Sequence, residues 1–332
     1  MAPDRHQHEA RPPVGPAGSS TLACPSGSFY RPQPEPAVPR SPVLADDCWI
    51  LAGPTAAGKT ALGLLLARQL DAEILSADSM AVYRGLDIGT AKPTAAQRAQ
   101  VAHHLVDLVE PGESYTVARW LAAAAAAVED CRRRGKRVLF VGGTPLYLRA
   151  LRDGLDPQPA GDPAFRRRLE EEVRVTGSGP LHDRLESVDP VAAARIHPND
   201  ARRIIRALEV VHATGRPTPS SWFEGRPRSA VFDAQMLVTD RPRNMLRERI
   251  DRRVEAMFAE GLVEETRAAD SRPGGIGPTA RQAAGYAEAL DVLAGRMTTA
   301  EAIRLTQQRT RQLAKRQLTW LRSFKSAIWI GG

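Results

Sequence analysis

Eight consecutive residues match the phosphate-loop spacing G-x-x-x-x-G-K-[ST] at every position: Gly53, Pro54, Thr55, Ala56, Ala57, Gly58, Lys59 and Thr60. An apolar run, 49–52, precedes them, and leucines recur at helical spacing after them. The motif therefore lies between a predicted buried strand and a predicted helix. In that context backbone N–H groups and the helix N-terminus bind phosphate oxygens, Lys59 neutralises the outer phosphate, and the Thr60 hydroxyl is a ligand for Mg²⁺. The stretch predicts a site for a diphosphate or triphosphate.

The composition is that of a globular protein with room for one large domain and an insertion, since 42% of its 332 residues are hydrophobic. The formal net charge of +8 suits a polyanionic partner, although excess arginine also keeps ordinary proteins in solution. The three cysteines, Cys24, Cys48 and Cys131, lie far apart without zinc-ligand spacing. No apolar run reaches the length of a membrane span, and the N-terminus lacks a secretory signal. We therefore expect a cytoplasmic protein without a membrane anchor.

Two further predicted strands end at polar turns. Residues 73–77 lead into Asp78-Ser79, and residues 138–141 lead into Gly142-Gly143-Thr144. Because the carboxyl ends of parallel strands lie at one edge of a sheet, both turns should lie beside the phosphate loop. Asp78 could there bind magnesium or accept a proton from an attacking nucleophile. The structural alternative is that it caps the next turn.

Composition divides the chain into three parts. Residues 1–46 are rich in Pro, Gly, Ser and Arg without apolar periodicity, which predicts a disordered tail. Residues 47–155 and 212–332 form the predicted α/β core. Residues 156–211, entered through a Pro-rich linker and an Asp162-Pro163 helix start, form a predicted all-helical insertion. The predicted fold class is α/β, a parallel P-loop NTPase-like sheet flanked by helices.

The second half of the core contains two notable helical patterns. A helix beginning at Arg243 carries Arg249 and Arg253, four residues apart, on one face. A capping box, Thr298-x-x-Glu301, begins a long helix with a basic stripe. Its predicted core stripe consists of Ile303, Leu305, Leu313 and Leu318.

Three predictions concern smaller features. Residues 231–238 are predicted to be a strand. His103 and His104 precede a strand-like segment, 105–109. Since the sequence offers no third ligand for this pair, the histidines are left outside the site.

Together the motifs resemble those of one family, the tRNA dimethylallyltransferases. The matching segments are Gly53–Thr60, 78–83 (Asp-Ser-Met-Ala-Val-Tyr), 87–93 (Asp-Ile-Gly-Thr-Ala-Lys-Pro), 142–147 (Gly-Gly-Thr-Pro-Leu-Tyr), 197–200 (His-Pro-Asn-Asp), 311–317 (Arg-Gln-Leu-Ala-Lys-Arg-Gln) and 319–322 (Thr-Trp-Leu-Arg). They stand in the family's order with compatible spacing, so the likeness covers about residues 48–330. Ala81 is a departure, since many members carry glutamine there.

The resemblance implies transfer of the dimethylallyl group of dimethylallyl diphosphate to N6 of adenosine 37, in tRNAs that read codons beginning with U. It implies that Lys59, Thr60 and Arg253 hold the diphosphate with Mg²⁺, that Asp78 accepts the amine proton, and that Thr144 orients the amine. We expect a monomer. The positions that the family uses for tRNA contact are Asp78, Ser79, Met80, Ala81, Thr144, Arg166, Arg202, Arg203, Ile204, Ile205, Arg206, Gln282, Gly285 and Tyr286.

Other functions also fit the phosphate loop. A P-loop kinase or NTPase would use Asp78 to activate a hydroxyl, but the strand 138–141 ends in glycine and not in a Walker B aspartate. An isopentenyltransferase acting on free adenine nucleotides would have no use for the basic helices. A non-catalytic nucleic-acid-binding module would have no use for the phosphate loop.

Overall fold

The computed structural model describes residues 48–155, 159, 161–219 and 235–331. Within these residues, six parallel strands form one sheet in the order β3-β2-β4-β1-β5-β6. They are β1 Cys48–Ala52, β2 Ala72–Ala77, β3 His103–His104, β4 Arg137–Gly142, β5 Met236–Thr239 and β6 Ile328–Ile330. The predicted tail and residues 231–234 of the predicted fifth strand lie outside the described residues. The strand predictions at 49–52, 73–77 and 138–141 are confirmed.

The helices that cover the sheet and form the insertion are α1 Lys59–Leu70, α2 Ala95–Gln100, α3 Val117–Arg133, α4 Pro145–Asp153, α5 Pro163–Thr176, α6 Gly179–Val188, α7 Pro190–Arg195, α8 Ala201–Thr214, α9 Arg243–Ala259, α10 Leu262–Asp270, α11 Tyr286–Leu293 and α12 Thr299–Leu321, with a 3₁₀ turn at Ala280–Gln282. The predicted helix starts are confirmed. The Asp162 carboxylate accepts hydrogen bonds from the first-turn N–H groups of α5, and Thr298 and Glu301 cap α12 reciprocally. Within the described residues, no helix is both long enough and apolar enough to cross a membrane.

Both faces of the central strands are buried, as expected for a parallel sheet covered by helices on both sides. Ile50, Leu75 and Phe140 pack into the larger hydrophobic cluster, with α3, α4 and α9. Leu51 and Leu139 point the other way and pack with α1. This alternation fixes the register of β1, β2 and β4, and it holds their carboxyl ends level at one edge.

Helices α5 to α8 pack around an apolar cluster of their own. It includes Leu169, Leu181, Leu185, Ile196 and Ile204, all buried. The helical segment that contains this cluster continues to Thr214, where Gly215 ends it in a left-handed conformation. The exact limits of the inserted domain stay a prediction.

The predicted core stripe of α12 is confirmed only in part. Ile303, Leu305, Leu313 and Leu318 are half-buried, and Ile303 and Leu318 pack against the larger hydrophobic cluster. The buried face consists of smaller or polar side chains: Ala302, Thr306, Thr310, Ala314, Gln317 and Leu321. Small side chains let α12 approach α9 and α11 closely, so the larger apolar residues flank this contact.

The two histidines form β3 themselves, and the predicted strand 105–109 does not form. Leu105 has φ = 62°, a left-handed conformation that ends the strand. The sequence offered no third ligand for the histidine pair, and the structure brings Glu73 and Cys131 beside His104 alone, with potential ligand atoms within 4.8 Å of one another.

These side chains form a satisfied hydrogen-bond network at the start of β2, at the opposite edge of the sheet from the phosphate loop. Both carboxylate oxygens of Glu73 accept hydrogen bonds from Arg134, and His104 Nε2 lies 2.6 Å from Glu73 Oε2. The hydrogen bond with Arg134 is the main reason that the pKa of Glu73 is lowered to about 2. Burial raises the pKa of the Cys131 thiol to about 11, so this sulfur is protonated and a poor metal ligand.

Candidate active site

The phosphate loop follows β1 and surrounds the side chain of Lys59. Gly58, with φ = 97°, takes the left-handed conformation needed for the turn into α1. Lys59 Nζ donates hydrogen bonds to the carbonyl oxygens of Gly53, at 3.0 Å, and Pro54, at 2.8 Å. Loss of hydration lowers the pKa of Lys59 to about 8, while the Asp78 carboxylate raises it and the Arg253 guanidinium lowers it further.

Helix α9 adds two cations to the outside of this loop. Arg249 Nε donates to the carbonyl oxygen of Ala56 at 2.8 Å, and one Arg253 N–H donates to Thr55 Oγ1 at 3.3 Å. Burial lowers the pKa of Arg253, and the negative charge of Asp78 opposes that shift. The prediction that Arg249 and Arg253 share one helix face is confirmed, and that face lies against the loop.

The ends of β2 and β4 are joined by hydrogen bonds. Asp78 Oδ1 accepts from the Met80 N–H at 2.9 Å, so Asp78 caps its own turn while it lies in the site. The Ser79 N–H donates to Thr144 Oγ1 at 3.0 Å, and the Thr144 N–H donates to the carbonyl oxygen of Ala77 at 3.2 Å. The two predicted turns therefore form one unit.

A small cavity of about 90 Å³ lies next to the phosphate loop. Lys59, Thr60 and Asp78 contribute its polar wall, and Ala81 and Val106 contribute to its apolar wall. A hydroxyl and a carboxylate oxygen are the hard donors that Mg²⁺ prefers, so the residues present fit this ion.

A much larger cleft, of about 1500 Å³, lies between the core and the helical insertion. Thr144 and Gln317 are at its core side, and helices α5 and α8 form the opposite wall. Seven arginines line it: Arg149, Arg166, Arg195, Arg202, Arg203, Arg206 and Arg316. The cleft thus offers a large, basic surface beside the turn that carries Thr144.

The residues predicted to contact tRNA are not all in this cleft. Those that line it are Thr144, Arg166, Arg202, Arg203, Ile205, Arg206 and Gln282. Asp78 and Ala81 line the smaller cavity, and Ser79 and Met80 are half-buried in the adjoining turn.

Three further predicted contact residues line neither the cleft nor the smaller cavity. Ile204 and Tyr286 are completely buried, and the Tyr286 hydroxyl donates to the Glu265 carboxylate at 2.6 Å. Gly285 is the left-handed N-cap of α11, where a Cβ would lie 2.5 Å from a methyl carbon of Leu262. This glycine provides close packing at the start of the helix.

Several arginines of the cleft already have protein partners. Arg166 makes a bidentate ion pair with the buried carboxylate of Glu209, and Arg206 binds the same carboxylate and the Pro159 carbonyl oxygen. One Arg202 N–H donates to Gln282 Oε1 at 3.2 Å. Arg166 and Arg206 therefore also hold the wall of the insertion in place.

Sequence reasoning assigned no function to Gln317, which connects the two sides of the site. Its Oε1 accepts from the Thr55 N–H at 2.9 Å, and its Nε2 donates to the Gly143 carbonyl oxygen at 2.8 Å. The only available signal was that Gln317 is the last residue of the 311–317 motif in a predicted long helix. No local pattern identifies its partners, which lie 262 and 174 residues away.

The comparisons with known proteins agree on one family. The family model described as IPP transferase matches residues 81–324. The tRNA dimethylallyltransferase of Anaeromyxobacter dehalogenans (strain 2CP-C) is 51% identical over 282 residues, which cover 85% of this chain and 93% of that protein. That of Geobacter metallireducens is 48% identical over 281 residues, with 85% and 91% covered.

Solved structures give the same result. The full-length tRNA isopentenylpyrophosphate transferase from Bacillus halodurans has a TM-score of 0.61 at 39% identity, covering 86% of this chain and 90% of that one. A eukaryotic dimethylallyltransferase, described as acting on tRNA, has a TM-score of 0.69 at 28% identity, covering 85% of this chain and 72% of that one. The predicted resemblance and fold class are confirmed: the chain belongs to the IPP transferase family.

Proposed function

We propose that this protein transfers the dimethylallyl group from dimethylallyl diphosphate to N6 of adenosine 37, in tRNAs that read codons beginning with U. The observation that carries the proposal is the junction between Asp78-Ser79 and Gly143-Thr144, where a phosphate loop and a large basic cleft meet. Family membership supports the same reaction. A single chain supplies every element of this junction, which is consistent with action as a monomer.

On the phosphate side, the reaction needs stabilisation of a leaving diphosphate. As the bond between the allylic carbon and oxygen breaks, negative charge develops on that oxygen. Lys59, Arg253 and the N–H groups at the start of α1 lie in or against the loop, and we assign to them the stabilisation of this charge, which is stronger in the transition state than in the substrate. Magnesium held by the Thr60 hydroxyl, with Asp78 on the same cavity wall, would add positive charge to this group.

On the acceptor side, the reaction needs a base and an oriented amine. An exocyclic adenine amine is a weak nucleophile and must lose a proton during transfer. We assign that proton to the Asp78 carboxylate, and we assign orientation of the amine to the Thr144 hydroxyl. The adenine must leave the anticodon-loop stack to reach them, a step that costs a few kcal/mol and is easiest in a single-stranded loop.

A second observation disfavours a kinase. A Cβ placed on Gly142 would lie 2.2 Å from the carbonyl oxygen of Ala77, because β2 and β4 are in close contact there. The end of β4 therefore has no space for the aspartate of a Walker B strand. The transfer reaction needs only the short turn and the Thr144 hydroxyl at this position.

Incubation with dimethylallyl diphosphate and unmodified tRNA, followed by nucleoside mass analysis, tests the proposal. We expect N6-dimethylallyladenosine from a tRNA with adenosine at position 37 and none from the same tRNA with guanosine there. Adenosine monophosphate in place of tRNA should be a poor acceptor. Preferential prenylation of the free nucleotide, or phosphoryl transfer from ATP to either acceptor, would contradict the proposed function.

A further inference from the structure

We propose that Gln317 is a positioning residue. It would hold the phosphate loop at a fixed separation from the turn Gly142-Gly143-Thr144, which we call the acceptor turn. The inference rests on the proposed function, because it concerns the distance between the leaving diphosphate and the acceptor amine. Its basis is the pair of hydrogen bonds from one amide, to Thr55 in the loop and to Gly143 in the turn.

The bonds are directional, and both ends of the amide are used. The carbonyl end of Gln317 accepts from the loop, and the NH₂ end donates to the turn. Since a primary amide is the side-chain group that offers an acceptor and a donor a short distance apart, neither a carboxylate nor a thioether reproduces the pair. The residue is 8% exposed, and its bond to Gly143 is buried, so water competes weakly for that bond.

The surroundings of Gln317 leave little space for adjustment. A Cβ placed on Gly143 would lie 2.7 Å from Gln317 Nε2 and 2.6 Å from the Gly53 carbonyl oxygen. The turn, the loop and the amide are thus in direct contact. Thr55 is held from a second side by the Arg253 guanidinium. The bridge that Gln317 forms between Thr55 and Gly143 thus has a second hydrogen bond at its phosphate end and close packing at its acceptor end.

The bridge acts on the chemistry through neighbouring residues. Thr144 follows Gly143 directly, and Lys59 lies in the same loop as Thr55. Displacement at the allylic carbon needs the amine and the departing oxygen on opposite sides of that carbon, and a misplacement of ~1 Å can cost roughly a hundredfold in rate. Because both ends of its amide are bonded to protein, Gln317 should affect the rate of transfer more than the binding of either substrate.

The test compares two substitutions on the same helix in the full chain. Gln317→Met keeps the side-chain length but removes both hydrogen bonds, while Gln312→Met makes the same change at an exposed position of α12. For each variant, the first turnover, followed with both substrates saturating and in excess over the enzyme, gives a rate constant and an amplitude. The amplitude counts correctly folded enzyme, whereas the rate constant reports the geometry of the folded site.

We expect Gln317→Met to lower the rate constant by roughly tenfold or more, with KM for both substrates changed less than threefold and a near-normal amplitude. Gln312→Met should match the wild type in rate constant, KM and amplitude. A reduced amplitude with a normal rate constant would mean that Gln317 serves folding alone, and it would overturn the proposal.

Gln317→Glu provides a second variant that separates the two bonds. It keeps the acceptor for the Thr55 N–H but places a carboxylate against the Gly143 carbonyl oxygen. We expect a reduced rate of transfer with pyrophosphate affinity within about twofold of wild type, because the loop side of the bridge is kept. A normal rate in this variant would contradict the bridge. Wild-type protein that modifies no tRNA would instead refute the proposed function.

Discussion

The phosphate loop and the large basic cleft adjoin the same edge of the sheet, yet the positively charged side chains of the two regions differ in their exposure to water. At the loop, Lys59 and the Arg253 side chain of α9 lie against protein atoms, and loss of hydration lowers the pKa of both. The cleft presents arginines from α4, α5, α7, α8 and α12, many of them exposed. A few desolvated cations act strongly on charge that develops at one atom, whereas many hydrated cations add up to salt-sensitive affinity for a polyanion.

The largest expected effect follows removal of the loop's central charge. Lys59→Ala should lower the rate of transfer by roughly a thousandfold or more, because the desolvated ammonium stabilises the departing diphosphate. Binding of tRNA should change less than threefold. Single-turnover rates and tRNA binding titrations measure the two quantities, and near-normal turnover would show that the leaving group does not lie in this loop.

A smaller effect is expected at the boundary between the two regions. Asp78→Asn preserves an acceptor for the Met80 N–H but cannot accept the amine proton, so turnover should fall by roughly a hundredfold with tRNA binding little changed. The measurement is the single-turnover rate across magnesium concentrations. Substantial rescue by magnesium would assign Asp78 to metal binding and would remove the general base from the mechanism.

The depressed pKa of Lys59 predicts that the affinity of the loop for pyrophosphate depends on pH. Lys59 is cationic below its pKa of about 8 and neutral above it, so pyrophosphate affinity should fall as pH rises through 8, approaching tenfold per pH unit from this group. Lys59→Arg is the matched control, because a guanidinium stays charged over this range. Titration calorimetry from pH 7 to 9.5 compares them. Equal slopes of log affinity against pH for the wild type and Lys59→Arg would show that Lys59 does not titrate between pH 7 and 9.5.

The smallest expected effect concerns a single exposed arginine of the cleft. Arg202→Ala should weaken tRNA binding only a few-fold and reduce the slope of log affinity against log salt by about one. Arg252→Ala is the control, since this exposed arginine of α9 lines neither cavity. Filter binding over a series of salt concentrations checks both. An unchanged slope for Arg202→Ala would place the tRNA backbone away from this residue.

Those parts of the site that depend on local sequence could be predicted. The phosphate loop, its flanking strand and helix, and the ends of β2 and β4 are contiguous patterns that each depend on local geometry. Their meeting at one edge followed from a general rule for parallel sheets. Arg249 and Arg253 could be placed on a common face by their spacing, although the spacing did not show which surface that face contacts.

The remaining parts of the site depend on tertiary packing. The buried face of α12 was predicted only in part, because hydrophobicity favours leucine in a core, while close helix contacts favour Ala302 and Ala314. The partner of Arg166, Glu209, lies 43 residues away in another helix. The network around His104 combines three elements whose side chains meet only after the sheet has formed. No short pattern in a single sequence contains these pairings.

The bond between Thr55 and Gln317 also has a consequence for the order of events during protein synthesis. The two residues are 262 positions apart, so the ribosome completes the phosphate loop long before the helix that fastens it. Domains can begin to fold from the N-terminal side during translation. A nascent chain could therefore form β1 and α1 early, but its reactive geometry would be assembled only after residue 317 leaves the ribosome. Incomplete chains would then carry a phosphate loop without an ordered acceptor site, so unfinished protein should not modify tRNA.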